Sequence, residues 1–290
     1  MRIAVVGANG YLARNLVSKL RTQYEVFSFI RSHQPNGLKD SGIFETRDFS
    51  KIRSNMLTIK PNLIINLASD YSVQHDYEGM KTIIDTEINL SAHLADICCE
   101  LGIYLMHTKS LFQKSEKNSG INLYAASKNA RDELMQYFIA FSELKLINVL
   151  LGDVYGYDDN RKKLIPSVVA HIGAGDNSNF ILENPERKFY PIYIEDVLNI
   201  ITTAIKKIEA GSMKLGDVKS FHREGMTLKN FVDKVQTIVT KDRFEVSWVH
   251  QSSEFRETKL VVPNNLISLV SEFTPFEVGF RSVLNMSNIK

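Results

Sequence analysis

The sequence predicts an α/β fold: a doubly wound parallel sheet followed by a smaller C-terminal lobe. Short apolar runs such as Ile3–Val6 and Leu63–Leu67 lack polar alternation, which is typical of strands buried on both faces of a sheet. Patterns of helical period separate these runs, and strands that alternate with helices indicate parallel strands joined by right-handed crossovers. With 290 residues, of which 44% are hydrophobic, the chain is long enough to bury such a core without disulfides or metal.

Six strands are expected in the first half of the chain, each as a short apolar run. They lie at residues 3–6, 26–30, 43–46, 63–67, 103–106 and 146–151. Helical patterns begin at Leu12 and cover roughly 78–101 and 124–142, and Gly102 is suited to end the second of these three helices.

The pattern changes after Gly152, where Gly, Asn and Pro become frequent. Helices are expected over 164–172, 195–208 and 228–239, and a strand over 244–249. We therefore expect a sheet domain over residues 1–152. Residues 153–290 are expected to form a smaller lobe that is interleaved with the last elements of the sheet.

Charge and composition exclude several classes of protein. Lys plus Arg is 35 and Asp plus Glu is 33, a net charge of +2, so neither a nucleic-acid surface nor a membrane surface is expected. No apolar run approaches the roughly 18 residues of a membrane span, and the N-terminus does not resemble a signal peptide. The two cysteines are adjacent, which favours a reducing, cytoplasmic location. The histidines show no zinc-ligand spacing, so no metal is expected.

A glycine-rich turn follows the first predicted strand. Gly7–Ala13 reads G-x-x-G-x-x-A and is closely related to the dinucleotide fingerprint of Rossmann domains. Glycine lets the backbone approach a pyrophosphate, and the amides and dipole at the helix start favour that anion. Residues 1–152 are therefore predicted to form a dinucleotide-binding Rossmann domain. Its turn residues are expected to contact the cofactor: Gly7, Asn9, Gly10, Tyr11 and Leu12.

The end of the second strand bears on the choice of dinucleotide. An acidic residue there would bind the ribose 2′-hydroxyl of NAD, whereas an arginine accommodates the 2′-phosphate of NADP. The strand ends at Arg31, and no Asp or Glu lies between Val26 and Asp40. This favours NADP(H), with NAD(H) left open.

A tyrosine and a lysine share one face of the helix predicted at 124–142. Tyr124 and Lys128 are four residues apart, in the pattern Y-x-x-x-K. The phenol has a pKa of about 10 when free, and a nearby ammonium favours its phenolate, which makes proton exchange near neutrality easier. The pair suits proton transfer at an alcohol or carbonyl beside a nicotinamide.

A hydroxyl group precedes this pair at the end of the fifth strand. Thr108 stands where open α/β sheets bind ligands, at the carboxyl end of a parallel strand. It is expected to hydrogen-bond the oxygen that Tyr124 protonates. Ser110, two residues on, is expected to contact substrate and could substitute for Thr108.

These motifs resemble those of the extended short-chain dehydrogenase/reductases, the group of nucleotide-sugar epimerases, dehydratases and reductases. Thr108, Tyr124 and Lys128 match the catalytic trio of that family. Further matches cover nearly the whole chain: the glycine motif, Asp48-Phe49, Leu67-Ala68-Ser69, Asn89 in the long fourth helix, Asp153-Val154-Tyr155-Gly156 with Ile165-Pro166, and Ile194–Val197. Within the family, the His107–Phe112 stretch is similar to that of nucleotide-sugar 4-ketoreductases of the CDP-abequose synthase kind.

The resemblance implies roles for several of these residues. Asp48 and Phe49 are expected to contact the adenine side of the cofactor, Leu67 and Ala68 to lie beside it, and Val154 to contact substrate. The chain departs from the group at Ala13 and at Arg187–Pro191, where many relatives have R-D-F directly before the strand.

The resulting prediction is an NADP-dependent reductase of a nucleotide-activated 4-keto deoxysugar. A nucleotide-sugar epimerase with tightly held NAD and a non-catalytic dinucleotide sensor remain as alternatives. A dehydratase is disfavoured, because dehydratases place Asp-Glu directly after the threonine and this chain has Lys109 and Ser110 there. The resemblance also implies a homodimer formed through the helices at 78–101 and 124–142.

Overall fold

The computed structural model describes residues 1–31, 43–45, 48–70, 76–116, 120–175, 178–239, 244–249 and 260–289. The strands in these ranges are β1 (Arg2–Val6), β2 (Glu25–Ile30), β3 (Ile43–Glu45), β4 (Leu63–Asn66), β5 (Tyr104–Ser110), β6 (Lys145–Leu151), β7 (Asp153–Tyr155), β8 (Phe180–Glu183), β9 (Lys188–Phe189), β10 (Pro191–Tyr193), β11 (Gly216–Ser220), β12 (Met226–Thr227) and β13 (Val246–Val249).

The helices in the same ranges are α1 (Tyr11–Leu20), α2 (Phe49–Ile59), α3 (Tyr77–Ile84), α4 (Leu90–Leu101), α5 (Leu123–Ser142), α6 (Leu164–Ala174), α7 (Ile194–Glu209), α8 (Leu228–Val239) and α9 (Phe276–Met286). A π-helical turn, Asp85–Asn89, joins α3 to α4, and a 3₁₀ turn, Leu111–Gln113, follows β5. No helix in the part of the chain that the structure describes is long and apolar enough to cross a membrane.

Seven strands form the main sheet, in the order β11-β6-β5-β4-β1-β2-β3. The pairs β1–β2, β1–β4, β2–β3 and β4–β5 are all parallel, which confirms the predicted Rossmann-like doubly wound fold. Because parallel strands end at one edge, this topology brings Gly7, Arg31, Leu67 and Ser110 to the same edge of the sheet.

The core of the sheet is apolar on the face covered by α2, α4 and α5. Side chains such as Ile64 and Leu105 from the strands pack with Met56, Leu94 and Met135 from the helices. Burial of each such side chain contributes about 1.5–3 kcal/mol. This packing fixes the strand ends that carry the candidate site.

The elements expected at the sheet are found with small shifts of their ends. Strand β5 runs on to Ser110, four residues beyond the expected end, because His107 continues the parallel ladder opposite Asn66. The pattern at 78–101 is broken by the π-helical turn. Helix α2 and strand β11 were not expected from the sequence, and Thr46 of the expected third strand lies outside the described residues.

The chain divides into two compact units. The first comprises Met1–Leu150, Ile201–Lys219 and Lys259–Leu269, and it holds the sheet. The second comprises Leu151–Ile200, Ser220–Thr258 and Val270–Lys290, and contains three two-stranded ladders: β7 with β10, β9 with β12, and β8 with β13.

Candidate active site

The glycine turn between β1 and α1 has a backbone that requires glycine at its first position. Gly7 has a φ of +78°, and a Cβ there would lie 2.5 Å from the Ala68 backbone nitrogen. The turn is held by hydrogen bonds from the Gly7 amide to the Phe29 carbonyl at 2.9 Å and from the Gly10 amide to the Gly7 carbonyl at 2.9 Å. The turn therefore lies directly against the segment that follows β4.

The start of α1 has the features that an anion-binding helix terminus needs. Gly10 is its N-cap residue, no side chain caps the helix, and its first turn carries no acidic residue. Asn9 and the first helical residues, Tyr11 and Leu12, lie beside this terminus. Backbone amides at such a terminus can donate hydrogen bonds to a pyrophosphate, so the residues present fit the dinucleotide that the motif predicts.

Arg31, at the end of β2, is paired with a carboxylate that the sequence did not single out. Its Nη1 lies 3.1 Å from Oδ2 of Asp70, which follows β4. The Arg31 side chain is 59% exposed, and an exposed pair of this kind is worth about 0–1 kcal/mol. Arg31 can therefore exchange this partner for a ligand phosphate, although the Asp70 charge would lie beside that phosphate.

The residues expected near the adenine and beside the cofactor also make contacts that stabilise the local fold. Asp48 is the N-cap of α2, where its Oδ1 accepts a hydrogen bond from the Ser50 amide at 3.0 Å. Bonding to the Ser50 side chain holds the pKa of Asp48 below its usual value. Phe49 lies 4.6 Å from the His93 ring, centroid to centroid. Near β4, the Leu67 amide donates to the Val6 carbonyl, and the Ala68 amide donates to Asn66 Oδ1.

The tyrosine and lysine of the Y-x-x-x-K motif lie together at the start of α5. The Lys128 Nζ is 5.0 Å from the centroid of the Tyr124 ring. Lys128 is only 1% exposed, and burial lowers its pKa to about 8 against the opposing effect of Glu87. The geometry places an ammonium where it can stabilise a tyrosinate.

A buried carboxylate, Glu87, links the lysine to the rest of the site. Its Oε2 lies 3.1 Å from Lys128 Nζ and 3.2 Å from Arg131 Nη1. Arg131 in turn donates from Nη2 to the backbone carbonyl of Thr108 at 3.1 Å. The structure thus joins Thr108 and the Tyr124–Lys128 pair through two buried residues, Glu87 and Arg131, that were not among the predicted site residues.

A signal for Glu87 was present in the sequence. It falls four residues after Ile83 and three before Leu90, both buried, so it is a carboxylate on an apolar stripe. Asn89, which the resemblance associated with the long helix, is exposed, and its Nδ2 donates to Asp85 Oδ1 at 2.8 Å.

Ser110 acts as a helix cap in this structure. Its hydroxyl oxygen accepts from the Phe112 amide at 3.3 Å, and the Gln113 side chain accepts from the Ser110 amide at 2.7 Å. Thr108, which is 8% exposed, has no such capping role among the contacts described. Within the part of the chain that the structure describes, the Ser110 hydroxyl is therefore engaged in a helix cap, whereas the Thr108 hydroxyl is not.

Lys109 is held between two carboxylates in place of the acid that dehydratases carry. Its Nζ lies 3.0 Å from Oδ2 of Asp132 and 3.0 Å from Oδ2 of Asp217 on β11. Asp217 also accepts from Asn148 at 2.9 Å. The Lys109 charge is thereby neutralised locally, and neither carboxylate was predicted from the sequence.

Val154 belongs to the second unit, where it is buried in β7. It pairs with Ile192 of β10 in a parallel ladder. The same unit holds Asp196, which belongs to the Ile194–Val197 motif match. Its two carboxylate oxygens accept hydrogen bonds from the backbone amide and the hydroxyl of Thr274. Among the described residues, no group of three or more His, Cys, Asp or Glu side chains is arranged to hold a metal ion.

A doubly wound sheet with a glycine turn after β1 and a Tyr-x-x-x-Lys pair on α5 defines an NAD(P)-dependent enzyme of the extended short-chain dehydrogenase/reductase type. The model of the NAD dependent epimerase/dehydratase family matches residues 3–216, and the chain belongs to that family. This confirms the family resemblance inferred from the motifs.

Two curated relatives act on nucleotide-linked sugars according to their names. The chain is 25% identical over 216 residues to a CDP-abequose synthase from Salmonella muenchen, covering 71% of this chain and 70% of the relative. It is 22% identical over 224 residues to a GDP-6-deoxy-D-talose 4-dehydrogenase from Aggregatibacter actinomycetemcomitans, covering 72% and 71%.

Solved structures support the same fold. A UDP-N-acetylglucosamine 4-epimerase from Methanobrevibacter ruminantium M1 in complex with UDP-N-acetylmuramic acid superposes with a TM-score of 0.80 at 16% identity, covering 99% of this chain and 98% of the other. The Bordetella bronchiseptica enzyme WbmG in complex with NAD and UDP superposes with a TM-score of 0.76 at 17% identity, covering 99% and 95%.

Proposed function

We propose that this chain is an NADPH-dependent reductase of a nucleotide-activated 4-keto deoxysugar. The observation that carries the proposal is the pair formed by Tyr124 and the buried Lys128, tied through Glu87 and Arg131 to the strand end that bears Thr108. The relatives support the substrate class, since one is named for dehydrogenation at position 4 of a nucleotide-linked deoxysugar.

The roles of the chain's own residues follow from their chemistry. The turn at Gly7 and the start of α1 would hold the pyrophosphate, and the nicotinamide, when bound, supplies hydride chemistry at the carbonyl carbon. The Thr108 hydroxyl orients the carbonyl oxygen by hydrogen bonding. The Tyr124 hydroxyl donates its proton to that oxygen, which completes the alcohol, and the Lys128 ammonium stabilises the tyrosinate until solvent returns a proton.

Lys109 supports reduction over dehydration. Elimination of water needs an additional acid and base beside the sugar. At position 109 the lysine forms ion pairs with Asp132 and Asp217. At position 110 the serine caps the 3₁₀ turn. We therefore assign no elimination step to this site.

The second compact unit is proposed to bind the nucleotide and the sugar. The motif matches that suggest this role lie within residues 153–290 and include Val154, which belongs to the second unit. Substrate-binding roles for Ser110 and Val154 belong to this proposal.

The reductase proposal is tested by the cofactor stoichiometry of the reaction. We expect consumption of NADPH absorbance when the purified chain receives a nucleotide 4-keto deoxysugar, with one alcohol formed per NADPH oxidised. An epimerase with bound NAD would instead interconvert nucleotide sugars with no net change in NADPH. That outcome would replace the reductase proposal with the epimerase alternative.

Cofactor preference gives a first mutational prediction. Arg31→Ala should weaken NADPH binding by about tenfold or more, since a charged hydrogen bond to the 2′-phosphate is lost, and should leave NADH nearly unchanged. Asp70→Asn should strengthen NADPH binding severalfold, because it removes a like charge from beside that phosphate. Dissociation constants from nicotinamide fluorescence measure both effects.

The matched control is Arg53→Ala, which removes another exposed arginine that pairs with carboxylates, Asp96 and Glu100. It should change neither dissociation constant. Equal losses of NADPH and NADH binding in Arg31→Ala would contradict the proposed contact with the 2′-phosphate.

Assembly gives a second prediction, a homodimer through the helices at 78–101 and 124–142, which are α3 with α4, and α5. Tyr77, Met80 and Ile84 form an exposed stripe along α3, and Tyr137 and Phe141 are exposed on α5. An apolar surface of this kind is typical of a protein interface. Sedimentation at micromolar protein should therefore give a mass about twice 33.0 kDa.

A charge placed on that surface tests the assembly directly. Phe141→Glu should return the chain to a mass near 33.0 kDa, whereas Ile181→Glu, at an equally apolar exposed position of the second unit, should not. A monomeric wild-type chain would exclude the dimer.

A further inference from the structure

Glu87 is the centre of a buried charge cluster beneath the candidate catalytic pair. It lies in the π-helical turn between α3 and α4 and is 1% exposed. Its Oε2 contacts Lys128 and Arg131, and its Oε1 accepts the Ser69 hydroxyl at 2.6 Å. A carboxylate this deeply buried costs free energy unless its neighbours compensate its charge, and here both oxygens are satisfied.

We propose that Glu87 is the positioning residue of this active site: it holds the Lys128 ammonium charged beneath Tyr124 and, through Arg131, fixes the strand end that carries Thr108. The inference rests on the proposed function, because it assigns Lys128 and Thr108 their roles in proton transfer. It adds a residue outside the Thr-Tyr-Lys trio on which both roles depend.

The charges that face Lys128 show why Glu87 is needed. Arg131 on the same helix is a second buried cation, and Tyr124 presents its ring. From β5, the imidazole of His107 is fully buried, and burial holds its pKa well below the usual value, so it is neutral.

Asp132 is the remaining acidic neighbour on α5, and it is already engaged by Arg131 and Lys109. Among the residues that the structure describes, Glu87 is therefore the carboxylate in direct contact with Lys128. Without it, two buried cations would face each other with no carboxylate between them. The lysine would respond by losing its proton, because a buried amine sheds its charge when its counter-ion is removed.

A second effect concerns Thr108. Arg131 donates from Nη2 to the Thr108 carbonyl and from Nη1 to Glu87, so the guanidinium bridges the helix-borne carboxylate and the strand end. Loss of the Glu87 carboxylate removes the contact made by Arg131 Nη1, so the guanidinium is held less firmly. Because small displacements at a reacting centre cost about 10²-fold in rate, the Thr108 hydroxyl need not move far for catalysis to suffer.

The test compares Glu87→Gln, which keeps the shape and removes the charge, with Asp85→Asn. Asp85 lies in the same π-helical turn but pairs with Lys81, so its change serves as the matched control. The direct readout is the pH titration of the Lys128 side chain by carbon-13 NMR of labelled lysines, with the Lys128 signal identified by its loss in Lys128→Met.

In the wild-type chain the Lys128 signal should titrate near its pKa of about 8. Glu87→Gln should lower this midpoint by at least about one pH unit, and Asp85→Asn should not move it. With a nucleotide 4-keto sugar, kcat should fall about 10²-fold in Glu87→Gln while KM for the sugar changes little. Glu87→Asp should recover part of both the midpoint and kcat, which a purely structural role would not predict.

Glu87→Asp also serves if Glu87→Gln does not fold, because its shorter side chain weakens the contact and should lower the midpoint by a smaller step. An unchanged Lys128 midpoint in a folded Glu87 variant would overturn the proposal. The titration needs no substrate, so it decides the role of Glu87 even if the wild-type chain reduces no keto sugar and the proposed function fails.

Discussion

Tyr124→Phe is expected to reduce the rate of ketone reduction by about 10²–10⁴-fold, the range typical of lost general acid catalysis. The change removes one oxygen and leaves the ring that Lys128 faces at 5.0 Å. Folding and NADPH binding should therefore survive, because the glycine turn is a separate element. Steady-state kinetics of NADPH oxidation, with binding measured in parallel, checks the prediction.

Tyr137→Phe is the matched control for this change. Tyr137 lies on the same helix but is 56% exposed, so loss of its hydroxyl should leave the rate unchanged. If the wild-type chain binds NADPH, reduces none of the keto sugars offered, and Tyr124→Phe alters no measured property, the non-catalytic sensor becomes the better description.

Gly7→Ala is expected to abolish measurable NADPH binding and to lower the free energy of unfolding by about 2–4 kcal/mol. The residue has a φ of +78°, which L-side chains rarely adopt. In addition, the new methyl group would meet the Ala68 backbone at 2.5 Å, and backbone cannot move aside as a flexible side chain can. Urea unfolding and fluorescence titration measure the two effects.

Gly102→Ala is the control that separates the effect of a positive φ from the effect of a steric clash. Gly102 ends α4 with a φ of +65°, and no atom lies within 4 Å of the position its Cβ would take. This variant should lose only about 1 kcal/mol and keep full cofactor binding. Equal losses of stability in the two variants would show that backbone strain alone, and not the approach to Ala68, governs the turn.

The sheet and its helices were largely predictable because their signals are local. Apolar runs of four to six residues predict strands without reference to distant parts of the chain. Helix α2, which was not among the predicted helices, also had a local signal: an Asp48 cap followed by Ile52, Met56 and Ile59 at helical spacing. Strand β11 had none: Gly216–Ser220 contains a single apolar residue and becomes a strand only by joining the edge of the sheet.

The candidate site was predicted in part for the same reason. Tyr124, Lys128 and the glycine turn are motifs with fixed spacing, so their local geometry follows from the sequence. Glu87 and Arg131 are 44 residues apart, and their contact depends on how α5 packs beside the π-helical turn. The pairing of Arg31 with Asp70, 39 residues away, depends likewise on the sheet order, which sets the ends of β2 and β4 on either side of β1.

The lysine that stands after Thr108 limits how this enzyme can be redesigned. Lys109 separates the carboxylates of Asp132 and Asp217, each 3.0 Å from its ammonium. An acidic residue introduced at position 109 alone would leave three carboxylates in one partly buried place and would be driven toward a protonated or displaced state. A change of chemistry toward elimination therefore has to begin at Asp132 and Asp217, two sites distant in sequence, before position 109 can be exchanged.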